Sequence, residues 1–510
     1  MLSKKVFFIL LGTIILIALL ERIIPSLGNN FYFTVDQGND AVYVREILER
    51  DQVFLKGPET DISGLHAGPL WYYFIAIGYK LFNGNPFGAL FMLIVLNVVT
   101  IGVIVLIVAK HVSRLWGVLI GVSLLLFWPF FDASRYAFNP FVLIPISFAT
   151  IILLVNFLSG NKRSFLLAAI PIGLGFHAEI AGSAALLLFY IAIGIWALFK
   201  KRISLTTLMA GGSIIAIFFI PHAISELKSG FAQTYSLLRE FKVSEGAFSS
   251  HSIPGISGYV FAQITKSVFY QNQIIGLALF LLASYLFWTK LKGKEKVNAL
   301  VTRFSLFTAV LTLVTFLFFS SNSGWRDWQT VYLQPLIFVS LLLLLSQIKW
   351  KISFILLAII ISSQGITFTQ RYSELFSKSE DQSILANQLA TIDWIYEQSN
   401  GKGFNVYSYV PPAIDYPYQY LFWWRGLAKY KYVPCDYSSY PGAPKPFYIP
   451  GSMYYEDPKK ECTNLRFLII EPSKDHQTRE QWIKGTSENT QFIEEKGIGK
   501  INIEKRLLVQ

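Results

Sequence analysis

Two carboxylates, Asp36 and Asp40, lie in the polar segment that follows the first apolar run of the chain. Charge is costly inside a hydrocarbon layer, so acids at this position mark the place where an apolar span meets water. A helix through this segment would place both acids on one face, where like charges raise the pKa of one of them. Gly38 favours an interruption of that helix, and Asp40 could equally be a first-turn acid that the helix dipole stabilises. We interpret Asp36 as the candidate catalytic carboxylate.

Further polar side chains occur between other apolar runs. His177 and Glu179 form the tip of a predicted helical hairpin, where they could act on a substrate or simply be solvated. His66 precedes another apolar segment. Arg135 and Arg326 are candidate phosphate contacts, because a guanidinium matches phosphate geometry bidentately, although such arginines often only solvate an interface.

Composition indicates the class of protein. The chain has 510 residues, 53% of them hydrophobic, and a mean hydropathy of +0.46. Apolar runs long enough to cross a bilayer recur through most of the first 370 or so residues, which predicts a polytopic membrane protein. The net charge of +12 is carried by short basic clusters between these runs, at 4–5, 110–114, 162–163, 200–202, 290–296 and 349–351. This pattern is typical of cytoplasmic loops and does not indicate nucleic-acid binding.

The alternation of these clusters predicts about eleven membrane spans. They are expected near 5–27, 87–109, 115–131, 140–158, 164–177, 180–199, 205–221, 270–289, 302–320, 332–348 and 352–368. The apolar segment 68–82 is too short for a span, and counting it would place every later basic cluster outside, so we interpret it as an outer juxtamembrane helix. The N-terminus is then cytoplasmic and residues 369–510 are extracytoplasmic. The outer loops include a long one from His222 to about Lys266 and another at 321–328.

The last part of the chain has a different character. It predicts a helix at 382–397 and strands at 404–410, 420–424 and 466–470, separated by proline and glycine. We therefore divide the chain into a transmembrane catalytic domain, 1–368, and a soluble extracytoplasmic α/β domain, 369–510. Both cysteines, Cys435 and Cys462, fall in the second domain, where an outside location allows a disulfide; two unpaired thiols are the alternative.

Several common motifs are missing, among them the phosphate-binding G-x-x-x-x-G-K-[ST], the zinc motif H-E-x-x-H and the hydrolase G-x-S-x-G. Two other classes of function remain open at this point. A polytopic lipid or polysaccharide transporter or flippase would explain the spans, but it would favour polar residues at mid-membrane, whereas here they gather at the outer ends. A non-catalytic assembly scaffold would explain the soluble domain but not the acidic segment at Asp36.

Five segments, in order, resemble the C-type (GT-C) glycosyltransferases that use polyprenyl phosphosugars, a family-39-like group that includes protein O-mannosyltransferases and lipid A aminoarabinose transferases. They are VDQGNDAVYVREIL from Val35, HAGPLWYYFIAIGYKLFNGNPFG from His66, RYAFNP from Arg135, GFHAEIAG from Gly175 and DWQTVYLQP from Asp327. Aminoarabinose transferases carry a lysine where this chain has Gly68, an aspartate where it has Asn139, and a lysine near Glu179. The phosphate contacts must then come from other groups.

The resemblance implies an enzyme that moves a sugar, with inversion, from a polyprenyl phosphate to an acceptor hydroxyl outside the cytoplasmic membrane. Asp36 would be the general base, with Asp40 and Glu179 as further catalytic acids. Substrate or phosphate contacts would come from His66, Arg135, Asn139, His177, Arg326 and Tyr332. The expected partners are the lipid-linked donor, a hydroxyl-bearing acceptor and the bilayer. No cofactor is expected, and the dependence on a divalent metal is left open, with none favoured.

Overall fold

The computed structural model describes residues 2–244, 252–293, 297–320, 326–411, 415–443 and 460–509. Lys294 and Lys296 of one basic cluster, and residues 321–325 of the last outer loop, lie outside these ranges. The helices up to the start of the predicted outer domain are α1 (Lys4–Ile23), α2 (Val35–Arg50), α3 (Leu70–Leu81), α4 (Phe87–His111), α5 (Arg114–Leu125), α6 (Trp128–Asp132), α7 (Leu143–Leu158), α8 (Arg163–Gly175), α9 (Ile180–Phe199), α10 (Leu205–Phe218), α11 (Ile220–Ser229), α12 (Ala232–Ser244), α13 (Ser252–Val268), α14 (Gln273–Lys292), α15 (Ala299–Ser320), α16 (Leu333–Leu345) and α17 (Trp350–Glu374).

The membrane helices form where the apolar runs are long. Within the described ranges, eight helices are long and apolar enough to cross a bilayer, and nine if α10 and α11, bent by 55°, count as one broken span. The other two predicted spans are the helices α5 and α8, which are apolar but shorter. The protein is therefore a multi-span membrane protein, and the total of eleven spans stays a prediction. The expected juxtamembrane helix is present as α3, and helices α11 to α13 occupy the segment that we predicted only as a long outer loop.

The C-terminal part is a small α/β unit, as predicted. It contains α18 (Leu385–Ser399), α19 (Tyr416–Arg425), α20 (His476–Ser487) and five strands, β1 (Gly403–Tyr409), β2 (Asp436–Ser438), β3 (Cys462–Ile470), β4 (Thr490–Ile498) and β5 (Ile501–Leu508). The strand order is β2-β1-β3-β5-β4. β1 runs parallel to β2 and β3, and β5 runs antiparallel to β3 and β4. The predicted helix at 382–397 and the strands at 404–410 and 466–470 are confirmed.

One predicted strand is wrong. Residues 420–424 lie in the helix α19, which begins with Pro417 in its first turn. Proline is favoured there because an N–H group in the first turn has no hydrogen-bond partner within the helix, so proline loses no hydrogen bond by lacking it. Nearly the whole helix from Pro417 to Trp423 is buried, so its sequence has no polar face to show a helical period. The alternative of two free thiols is also excluded, because Cys435 and Cys462 form a disulfide, with Cα atoms 6.0 Å apart.

Helix α2, which carries Asp36 and Asp40, is held between the membrane part and the outer unit. Gly38 does not interrupt this helix, contrary to our expectation. A Cβ at Gly38 would lie 2.4 Å from the backbone nitrogen of Pro417, so the missing side chain allows α19 to approach α2 backbone to backbone. On the opposite side, Tyr43 stacks on Tyr72 of α3 with ring centroids 4.9 Å apart.

The pair Arg45-Glu46 contributes to the contact between α2 and α19. Arg45 Nη2 donates to Glu46 Oε1 at 3.1 Å, and both side chains are buried. The Arg45 guanidinium also lies over the ring of Trp423 on α19, 5.4 Å from its centroid. The guanidinium therefore joins α2 to α19 through Trp423, and loss of Glu46 would leave its buried charge uncompensated.

The close approach at Gly38 gives a test of the fold. The variant Gly38→Ala should lower the free energy of unfolding by about 1–3 kcal/mol, since a backbone neighbour cannot rotate away as a side chain can. Thermal unfolding of the detergent-solubilised protein measures this. Gly485→Ala is the control, because Gly485 lies in the outer helix α20 with nothing within 4 Å of its would-be Cβ; it should be neutral or stabilising. Equal stability of the two variants would contradict the packing.

Candidate functional site

The first turn of α2 is tied to the outer loop that contains Arg135. The backbone N–H of Thr34 donates to Gln37 Oε1 at 3.0 Å, and Gln37 Nε2 donates to the carbonyl of Ala137 at 3.2 Å. The hydroxyls of Thr34 and Tyr136 are 3.0 Å apart and hydrogen bonded. These contacts fix where the Asp36 side chain emerges.

Asp36 remains exposed at the surface of this site. The surrounding protein nevertheless desolvates its carboxylate and raises its pKa, and the nearby Asp61 carboxylate raises it further. Asp36 and Asp40 in turn raise the pKa of Tyr136, after the larger effect of burial. Asp36 therefore lies within electrostatic reach of both Asp61 and Tyr136.

Asp61 is the residue that the sequence analysis missed. It lies in the polar segment between α2 and α3, and Arg326 Nε approaches its Oδ1 to 4.0 Å. Gln329 Nε2 is 3.5 Å from its other oxygen, at the outer limit of a hydrogen bond. Burial raises the pKa of Asp61 while Arg326 lowers it. Only the folded chain reveals this contact, because Arg326 and Asp61 are far apart in sequence.

Asp40 is buried and points away from solvent. Its Oδ2 accepts a hydrogen bond of 2.7 Å from Trp71 Nε1 on α3. Burial raises the pKa of Asp40 well above its usual value, Trp71 opposes this effect and the charge of Asp36 adds to it. Asp40 thus couples the acidic helix α2 to the juxtamembrane helix α3 through its bond to Trp71.

Glu179 caps the membrane helix α9. Its Oε1 accepts from the backbone N–H of Ala181 at 3.0 Å, and its Oε2 accepts from that of Gly182. Burial raises the pKa of Glu179 to about 7, although both N–H donors favour the charged form, and Asp61 adds to the increase. Asn139 is joined to the same tip, because its Nδ2 donates to the carbonyl of Ala178.

His177 packs directly on the backbone that precedes α3. A Cβ at Gly68 would lie 1.9 Å from His177 Nδ1, so any side chain at this position would require the His177 ring to move. The ring centroid of His177 is 6.1 Å from that of His222. Burial and His222 lower the pKa of His177 to about 4, which leaves the imidazole neutral at physiological pH. His66 is half-buried, with its Nδ1 3.2 Å from the carbonyl oxygen of Gly57.

The remaining predicted residues lie elsewhere around the site. Arg135 is buried, its Nη2 donates to the carbonyl of Asn30 at 3.0 Å, and its Nη1 has no hydrogen-bond partner among the described residues. Tyr332 is fully buried, and its hydroxyl is hydrogen bonded to Thr315 Oγ1 at 2.9 Å. Among the described residues, Asp61 contacts Arg326 and acts on Asp36 and Glu179, while Asp40 is linked to the group through Asp36. Tyr332 lies within electrostatic reach of Glu179, and His177 is beside Glu179 in the chain. Arg135 has other neighbours.

An apolar groove of about 330 Å³ leads to Trp71 and His177. Leu70 and Leu174 are exposed on its rim. Its other lining residues come from α3, α4 and the segments around α7 and α8, and are Phe74, Leu96, Val142, Pro145, Ile146, Ala149, Pro171 and Ala178. Such a groove fits a hydrocarbon chain that ends at polar groups. Within the described ranges, no group of three or more His, Cys, Asp or Glu side chains is arranged to hold a metal ion.

Comparison with known proteins places this geometry in a class. The family model of dolichyl-phosphate-mannose-protein mannosyltransferases matches residues 66–224. The structure is similar to that of ArnT from Cupriavidus metallidurans bound to undecaprenyl phosphate, with a TM-score of 0.58 and 10% identity over 99% of this chain and 98% of that one. The same protein in its apo state gives a TM-score of 0.59 and 11% identity over 97% and 98% of the two chains. A comparison with curated protein sequences finds no match.

The fold is therefore that of the C-type glycosyltransferases, as the resemblance implied. The match to the mannosyltransferase family model over residues 66–224, together with this fold, supports a membrane glycosyltransferase that uses a lipid-linked sugar.

The contact between Gly68 and His177 can be tested by paired substitutions. Gly68→Ala should destabilise the protein by about 1–3 kcal/mol, because the new methyl group overlaps a buried ring. Adding His177→Ala should restore most of that loss, since the second change removes the overlapping atoms. Thermal unfolding of both single variants and the double variant gives the coupling. Additive losses would show that the two residues do not touch.

Proposed function

We propose that this enzyme transfers a sugar from a polyprenyl phosphate to an acceptor hydroxyl at the outer face of the cytoplasmic membrane, with Asp36 as the general base. The single observation that carries the proposal is the position of Asp36, which is exposed and within electrostatic reach of both Asp61, the partner of Arg326, and Tyr136. The base must be accessible to the acceptor, and exposed Asp36 meets this need. The departing phosphate needs a nearby cation, and Arg326 can supply it.

The donor occupies the apolar groove with its hydrocarbon chain. The groove ends at Trp71 and His177. His177 is close to Glu179 in the sequence, and the charge of Asp61 acts on Glu179. A likeness in fold to a protein that binds undecaprenyl phosphate supports a carrier of this kind. Arg326 would bind the phosphate, because its side chain is about half exposed and its ion pair with Asp61 is long, at 4.0 Å.

The reaction is a single displacement. Asp36 accepts the proton of the acceptor hydroxyl while that oxygen attacks the anomeric carbon from the face opposite the phosphate. The bond between the anomeric carbon and the phosphate oxygen breaks, and polyprenyl phosphate leaves with the bonding electrons. The configuration at the anomeric carbon inverts. Asp61 raises the proton affinity of Asp36, which brings the base closer to the operating pH, whereas Asp40 and Glu179 help to position the site.

We further propose that the N-terminus is cytoplasmic, that residues 1–368 form the catalytic membrane domain, and that residues 369–510 form an extracytoplasmic domain. The basic clusters support this orientation. The Cys435–Cys462 disulfide supports an oxidising environment for the outer domain.

The direct test is Asp36→Asn. An amide cannot accept the acceptor's proton, so transfer should fall by about 10²-fold or more, while binding of the polyprenyl phosphate is retained. Asp40→Asn and Glu179→Gln should cost less, because neither takes the proton. Transfer of a labelled sugar from a polyprenyl phosphosugar measures these effects in variants matched for thermal stability. Near wild-type turnover of Asp36→Asn would remove Asp36 from the mechanism.

The pH profile tests the electrostatics separately. Asp36 must be ionised to act, so activity falls as the pH drops through its raised pKa. Asp61→Asn removes a charge that raises this pKa, and the acidic limb of the profile should therefore move to lower pH. Glu49→Gln also removes one negative charge, but from the exposed far end of α2, and it should leave the acidic limb of the profile in place. A limb that moves equally in both variants would mean that net charge, rather than Asp61, sets it.

A further inference from the structure

A second cavity lies beside the start of α2. It has a volume of about 470 Å³ and is lined by the segment before α2, the Arg135 loop, and the end of α17 with the chain that follows it. Its wall includes Thr34 and Tyr136, whose hydroxyls are hydrogen bonded to each other; Thr34 is two residues before Asp36, and Tyr136 is within electrostatic reach of Asp36. The cavity shares no lining residue with the apolar groove.

The charges of this cavity and its neighbour balance when the two are taken together. Asp132 and Glu374 contribute two carboxylates and Arg135 lines the same wall. A neighbouring cavity of about 680 Å³ shares Asp132 and Glu374 and adds Arg371. The positive charges of Arg135 and Arg371 both act on Asp132. With two acids and two bases, the combined space offers no net charge to a strongly ionic ligand.

Its polar groups and rings suit a different ligand. Carboxylates, guanidinium groups and the hydroxyls of Ser377 and Ser379 can each bond vicinal hydroxyl groups, and Arg135 keeps one nitrogen without a partner among the described residues. The rings of Tyr32 and Tyr136, 6.3 Å apart and nearly perpendicular, give apolar faces to the same space. Planar polar groups beside aromatic faces bind sugar rings, which have both hydroxyl edges and apolar C–H faces.

From this arrangement we propose that the cavity binds the acceptor and that the acceptor is a neutral carbohydrate, whose hydroxyl group reaches Asp36 past Tyr136. Arg135 then positions the acceptor rather than the donor phosphate. The inference rests on the proposed function, because it assumes that Asp36 takes the acceptor's proton. The same chemistry would recognise a free oligosaccharide or the glycan of a glycolipid.

A blocking experiment tests the site. The native cysteines are joined in a disulfide, so Ser377→Cys introduces one reactive thiol on the exposed cavity rim. Labelling it with a bulky maleimide should reduce sugar transfer at least tenfold without changing the binding of polyprenyl phosphate. Glu494→Cys, on the exposed strand β4, is the control and should keep full transfer after labelling. Unchanged transfer by labelled Ser377→Cys would overturn the proposal.

The class of acceptor is tested with three probes on the wild-type enzyme. These are a pool of neutral di- to tetrasaccharides, a glycolipid with a neutral glycan, and a pool of serine- and threonine-containing peptides. Transfer to either glycan probe supports the proposal, and the two probes distinguish a free from a lipid-linked source. Transfer to the peptides alone overturns the carbohydrate assignment but leaves the proposed function intact. No transfer to any probe overturns the proposed function, and the acceptor site with it.

Discussion

The architecture depends on the backbone contact between Gly38 and Pro417. At this point the backbones of α2 and α19 meet without a side chain in between. The short polar helix α2 also packs on the juxtamembrane helix α3. Protein interiors are close-packed, so an element held on opposite sides by rigid neighbours has one position. The position of Asp36 and Asp40 relative to Trp71 and Asp61 follows from this contact.

The same packing explains the electrostatics of the site. Asp36 and Asp40 lie on α2, Asp61 in the segment after it and Glu179 at the start of α9, and the pKa of each is raised, first by burial. Arg326 contacts this group through Asp61. Acids that are desolvated and lie near one another ionise less readily than acids in water, so one of them can serve as a base closer to neutral pH. In the proposed mechanism that acid is Asp36, because it is exposed and lies at the start of α2.

Much of this could be predicted from the sequence, and the failures have physical reasons. The long membrane helices and strands β1 and β3 follow from apolar runs and from β-branched and aromatic composition. Asp36 stands out because it is charged at the end of a span. Residues 420–424 were predicted as a strand because a helix buried on nearly every side shows no period. Gly38 was predicted to break α2 because helix propensity ignores the tertiary contact with Pro417. Asp61 was missed because its partner Arg326 reaches it only in the folded chain.

The most direct test of the account is an experimental structure of the Asp36→Asn variant with a polyprenyl phosphosugar, which the variant should bind without consuming. The account predicts that the hydrocarbon chain lies in the groove beside Leu70 and Phe74 and that the phosphate lies on the Asp61–Arg326 side. The anomeric carbon should then face the side chain of residue 36 across the space that leads to Tyr136. A hydrocarbon chain in another groove, or a sugar held away from residue 36, would contradict the central claim that Asp36 separates donor from acceptor and acts as the base.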